Sequence, residues 1–150
     1  MERILAMIKN DYGAKIFLDG MNCAQAVFSS FSADYGLSAS VACKIAGGLG
    51  SGARTGELCG AVSGAVLVIG LKYGQEKIGD SAAKQKCNEE TEEFMLRFRS
   101  ANGNVVCRNL LECDITTKEG RENAIAKELF TTNCKDFVVS AINILIDMGY

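Results

Sequence analysis

The sequence contains no histidine. The commonest general base and the commonest nitrogen ligand for metals are therefore missing. A Cys–His or Ser–His catalytic pair cannot be assembled from this chain, which excludes a hydrolase of that kind. Proline is also absent, and no Cys-x-x-Cys pair occurs, so the thioredoxin-type motif and the zinc-ribbon spacing are both missing as local signals. There is no excess of positive charge. The formal net charge is −2, whereas a nucleic-acid module normally carries a basic face. The start, Met1-Glu2-Arg3-Ile4, lacks the long apolar core and small-residue cleavage site of a secretion signal. The longest uncharged apolar run, Leu58 to Leu71, is too short for a bilayer and is broken by three glycines. These absences lead us to expect a soluble, cytoplasmic protein with neither nucleic acid nor membrane as a partner.

What is present is sulfur. Seven cysteines occur in 150 residues, a length that suits one domain spanning residues 1–150. Cytoplasmic thiols are normally kept reduced, and an odd number leaves one unpaired, so a static disulfide framework is not expected. Reduced thiols, metal-bound thiolates or a cycling redox pair are the readings left open.

Helical spacing dominates the hydrophobic pattern. Ile4, Leu5, Ile8, Tyr12 and Ile16 share one face. Cys23, Val27 and Phe31 form a second stripe, Cys87, Thr91, Phe94 and Phe98 a third, and Phe130, Cys134, Val138, Ala141, Leu145 and Met148 a fourth. The expected fold is all-α: a helical bundle of six or seven helices with little or no sheet. Gly20-Met21-Asn22 should break the first helix and let Asn22 cap the second. Asp34-Tyr35-Gly36 should end that one, Ser38 should open a short third, and Asn102-Gly103-Asn104 should close a long charged helix carrying Lys86–Glu90 and Glu93–Arg97 pairs. The segment Glu57–Tyr73 is apolar nearly all round, as a central buried helix would be. Its glycines Gly56, Gly60 and Gly64 recur every fourth residue, which implies close approach by another helix or by a ligand.

Cys23, Cys59, Cys107 and Cys134 each follow residues that can open a helix: Asn22, Thr55-Gly56, Asn104 and Thr131-Thr132-Asn133. Helix N-termini favour the thiolate and can lower a thiol pKa from ~8.5 to about 3.5–7.5, with Arg108 and Arg54 adding positive charge. That setting suits metal ligation or nucleophilic sulfur. The competing reading is that buried cysteines are small hydrophobes. Cys43 and Cys87 read as packing residues, and Cys113 is open between the two. The loop Gly47–Gly56 could present amides to an anion. It has no Gly-Lys-Ser/Thr ending and no preceding strand, so it is not a nucleotide loop. A flexible turn that lets Cys59 approach its partners is the alternative. Gly48, Gly50, Gly52 and Arg54 are its candidate binding residues.

With those residues in view, the chain resembles the bacterial and archaeal C_GCAxxG_C_C family. The resemblance rests on Asn22-Cys23-Ala24-Gln25-Ala26-Val27, Ala46–Gly52, Gly56–Ala65, Gly70–Gly74, Cys107–Leu111 with Asp114, and Cys134. It departs from the family name in one turn, where Cys59 precedes Gly60-Ala61. The resemblance implies a redox-active helical protein whose family cysteines are Cys23, Cys59, Cys107 and Cys134, with Cys43, Cys87 and Cys113 as extras. Some relatives are associated with a cytochrome-type partner or domain. Haem attachment does not carry over, because Cys-x-x-Cys-His and an axial histidine are both absent. The expected function is therefore a redox centre of four distant cysteines. They would act as iron–sulfur ligands or as a dithiol/disulfide pair, with Cys59 as the attacking sulfur and a redox protein as partner. A structural all-thiolate zinc site and a helical interaction module that pairs as a homodimer are the alternatives.

Overall fold

The computed structural model describes residues 1–150 as eight α-helices without a strand. They are α1 (Glu2–Leu18), α2 (Cys23–Ser32), α3 (Ala39–Ile45), α4 (Gly60–Tyr73), α5 (Ser81–Asn102), α6 (Cys107–Leu111), α7 (Lys118–Ala126) and α8 (Lys135–Asp147). The all-α class is as expected, with short α3, α6 and α7 taking the number past six or seven. The anticipated helix ends are found. Gly20, Gly36 and Gly103 have φ of 121°, 82° and 91°, the left-handed conformation that glycine adopts without penalty. Ser38 caps α3 through the Val41 amide. The Lys86–Glu90 and Arg97–Glu93 pairs form at 3.0 and 2.7 Å.

Helix α4 is the centre of the bundle, packed against α2, α5 and α8. Its closest partner is α2, and the reason is glycine. A Cβ on Gly64 would stand 2.7 Å from the Ala24 carbonyl oxygen, and one on Gly60 would collide with the Cys23 sulfur. Around this contact Val27, Phe31, Val62, Val68, Phe94, Phe98, Val138 and Leu145 are fully buried. Burial of such side chains contributes roughly 1.5–3 kcal/mol each before entropy is counted.

Two expectations need correction. The central helix begins at Gly60, not Glu57, because Leu58 instead pairs antiparallel with Val106 in an isolated bridge. The apolar stripe of α1 is only partly a core face: Ile4, Leu5 and Ile8 are 61%, 52% and 57% exposed. Its contact with α2 and α8 is made further along, where side-chain-free Gly13 is buried against Ile142 and Ser30.

A smaller hydrophobic cluster of Cys107, Leu111, Ile115 and Ala124 lies beside the main core, with Cys134, Phe130 and Phe137 packed on it. Cys23 and Cys59 belong to the main core. The four family cysteines therefore lie along the seam between the two clusters.

The glycine contact can be tested with a matched pair. Gly64→Ala should lower the unfolding free energy by about 1–3 kcal/mol through overpacking. Gly70→Ala, whose Cβ would meet nothing within 4 Å, should be neutral or stabilising by up to about 1 kcal/mol. Chemical denaturation midpoints of the two variants check this.

Candidate functional site

Cys23 is the first residue of α2, and the cap before it is complete. The Gln25 amide donates to Asn22 Oδ1 and the Asn22 amide donates to Gln25 Oε1, both at 2.8 Å. This reciprocal capping box fixes the entry of the chain into the helix. The same two side chains also reach across to the end of α3 and the first residue of the glycine-rich loop. Asn22 Nδ2 donates to the carbonyls of Ala46 and Gly47 at 3.2 and 3.1 Å, and Gln25 Nε2 donates to that of Cys43 at 2.9 Å. One tetrapeptide thus presents Cys23 and anchors the loop that faces it.

The loop winds left-handed. Ser51, Gly52, Ala53 and Arg54 all have positive φ, between 54° and 64°, so the chain makes one left-handed turn. For the three residues that are not glycine this costs roughly 1–2 kcal/mol each. Thr55 Oγ1 donates to the Gly52 carbonyl at 2.8 Å, and Arg108 is drawn over the turn by its 2.9 Å ion pair with Glu57. A side chain on Gly52 would collide with the Glu57 backbone, and one on Gly50 with Asn22.

Cys59 and Cys107 are brought together by the Leu58–Val106 bridge. The Cys59 amide donates to the Val105 carbonyl at 2.8 Å, and the Cys107 amide donates to the Glu57 carbonyl at 2.6 Å. Both cysteines are then immediately followed by helix: α4 starts after Cys59, and Cys107 opens α6. Asn104 does not cap α6. Its side-chain Oδ1 accepts from the amides of Val105 and Val106, shaping the preceding turn. Cys134 departs further from expectation. It closes a wide helical turn, Phe130–Cys134, that runs directly into α8, with its amide donating to the Leu129 carbonyl. Three of the four cysteines therefore stand at helix starts, and Cys134 stands inside a continuous helical run.

All four line one cavity of about 490 Å³, together with Gly50, Arg54 and the unanticipated Arg121. Gly48 and Gly52 do not line it. Gly52 has a backbone role in the turn, and a Cβ added at Gly48 would meet nothing within 4 Å. The three remaining cysteines lie elsewhere. Cys43 lines a separate depression, Cys87 packs on the main core, and Cys113 packs on the smaller cluster. All seven cysteines are free thiols. No three cysteine, aspartate or glutamate side chains stand in position to hold one metal ion.

The electrostatics reverse the sequence expectation. Burial pushes the Cys59 thiol up to about 12, with Cys23 and Cys107 nearby adding to the shift against the Ala61 and Val62 amides. Cys107 is pushed up to about 11 by burial and by Cys23. Cys134 is raised by burial and then by the other three sulfurs. Cys23 is also raised by burial, but the amides of Ser51, Ala24, Cys23 and Ala61 oppose it. Amides at helix starts are present as anticipated; desolvation outweighs them. Neutral thiols are the resting form, and Cys23 is the sulfur best supplied with donors to its anion.

Compared with known protein families, residues 21–148 match the family described as "Putative redox-active protein (C_GCAxxG_C_C)". The chain belongs to this family. Comparison with curated proteins and with solved structures found no match.

The raised thiol values make stability pH-dependent in a defined direction. An unfolded chain releases cysteine protons near ~8.5, whereas the fold retains them to about 11 at Cys107 and about 12 at Cys59. Their contribution is complete below the unfolded value and is lost as pH rises toward the folded ones, at up to about 1.4 kcal/mol per pH unit per thiol. Reduced protein unfolded in guanidinium between pH 7 and 10 should therefore lose stability more steeply than the Cys59→Ala/Cys107→Ala variant. Parallel curves would contradict the assignment.

Proposed function

We propose that the protein is a dithiol reductant in which Cys23 and Cys59 cycle between two thiols and one disulfide inside the cavity. The observation that carries this reading is the gathering of four thiols around one cavity, with Cys23 facing four backbone amides and Cys59 two. Because Cys23 raises the other three and none of them raises it, Cys23 is the first of the four to ionise, and its charge then opposes ionisation of a second. This makes Cys23 the attacking sulfur in our reading, in place of Cys59. Cys59 lies 5% exposed in the core and follows as the resolving partner.

The step balances without a further reagent. The Cys23 thiolate attacks one sulfur of an external disulfide, forming a mixed disulfide and expelling one thiolate. The Cys59 sulfur, losing its proton, attacks the Cys23 sulfur, closing the internal bond and expelling the second thiolate. Two electrons pass from the protein to the substrate, and the two protons end on the two released thiols. Cys107 and Cys134 keep the surroundings polarisable and uncharged. In the cytoplasm, where we place the protein, a thiol pool or partner reductant would restore the starting state.

The donor set also suits a thiophilic metal or an iron–sulfur cluster, to which Cys23, Cys59, Cys107 and Cys134 would be ligands. Such a group would supply electron transfer, or purely structural support in the case of zinc. With no three side chains in ligating positions, disulfide exchange is the reading we put forward.

Anaerobic purification followed by thiol titration tests it. Colourless, metal-free protein should lose two thiols reversibly on exposure to a small disulfide. Cys59→Ser should instead accumulate a mixed disulfide on Cys23, visible by mass spectrometry, and Cys23→Ser should do neither. Brown protein with iron and sulfide, or one bound zinc per chain, would replace this reading with the metal one. Thiols that react only after denaturation would leave packing alone.

A further inference from the structure

We infer that the disulfide accepted by this cavity is a small molecule carrying carboxylates, held by Arg54 and Arg121 while its S–S bond meets Cys23. The inference rests on the exchange chemistry proposed above and names its substrate class. The chain as a whole is slightly acidic, with 18 acidic against 16 basic residues. Yet no aspartate or glutamate lines the cavity, while two arginines do. Neither arginine has a carboxylate within ion-pair distance, in contrast to Arg108, which is occupied by Glu57. Unpaired guanidinium groups on a cavity wall are suited to bidentate recognition of carboxylates.

Arg121 is held by an aromatic ring, and Arg54 is placed by its backbone alone. Arg54 ends the left-handed turn at φ 64°, a conformation that costs energy and sets the direction in which its side chain leaves the backbone. Arg121 lies with its guanidinium carbon 5.6 Å from the centre of the Phe130 ring, and Phe130 shares the cavity wall. The positive region continues outward. An adjoining depression of about 310 Å³ shares Arg54 and Arg121, adds Lys118, and again has no carboxylate. Size argues for a small molecule over a protein surface. A volume of about 490 Å³ falls in the range of small-ligand pockets. Cys59 and Cys107, 5% and 7% exposed, lie below the reach of a flat partner.

The test compares three disulfides of similar length that differ in charge: 3,3′-dithiodipropionate, 2-hydroxyethyl disulfide and cystamine. Rates of thiol loss in the reduced protein should fall in that order, with about tenfold between the anionic and neutral reagents at low salt. Added salt should narrow the gap. The anionic-to-neutral ratio should collapse in the Arg54→Ala/Arg121→Ala variant. Binding is read separately by calorimetry with suberate, the redox-inert carbon counterpart of the anionic reagent. Suberate should bind wild-type protein and compete with dithiodipropionate, and its affinity should fall about tenfold or more without the arginines. Equal rates for the three disulfides together with no suberate binding would overturn the inference while leaving thiol exchange standing. Suberate binding without reversible thiol loss from any reagent would instead remove the exchange chemistry, and the substrate assignment with it.

Discussion

The contact between α2 and α4 is the constraint from which the rest follows. Two glycines one helical turn apart, Gly60 and Gly64, bring the backbone of α4 against Cys23 and Ala24. Any side chain at these positions would push the helices apart and move Cys23 away from the amides that open α4. Glycine weakens a helix interior by about 1 kcal/mol relative to alanine. The fully buried side chains along the same helices offset that cost and keep α4 helical despite its glycines. Packing geometry and sulfur environment are therefore one feature described at two scales.

A second layer holds the surroundings of Cys23. Asn22 and Gln25 satisfy the first amides of α2 and, with the rest of their polar groups, bind the carbonyls that precede the left-handed turn. The turn then delivers the Ser51 amide to Cys23 and Arg54 to the cavity wall. Strained backbone beside a buried sulfur is consistent with a site shaped for chemistry more than for stability.

Much of this was legible in the sequence. The capping residues Asn22 and Ser38, the stop at Gly103, the charged face of α5 and the crowding at Gly60 and Gly64 are local or periodic signals, and local physics decides them. The four cysteines stand out in the sequence by their similar local settings and again by the family resemblance, but their convergence is a matter of tertiary packing, since dozens of residues separate them. The thiol pKa direction was misjudged because helix-start amides can be read from neighbours, whereas desolvation depends on what covers the site. Arg121 gave no signal: it lies in an ordinary polar helix, and its role comes from where α7 docks. The start of α4 was misplaced for the same reason, since Leu58 is held by Val106, some fifty residues away.

The seam between the two hydrophobic clusters has a mechanical consequence. A covalent link between Cys23 and Cys59 stays within the larger body, so the α6–α7 segment meets that body through the chain itself, packing, the Leu58–Val106 bridge and the Arg108–Glu57 ion pair. A link from either of them to Cys107, which opens α6, would add a covalent tie between the two clusters. The choice of sulfur pair thus sets not only where electrons reside but whether the two clusters share a covalent cross-link.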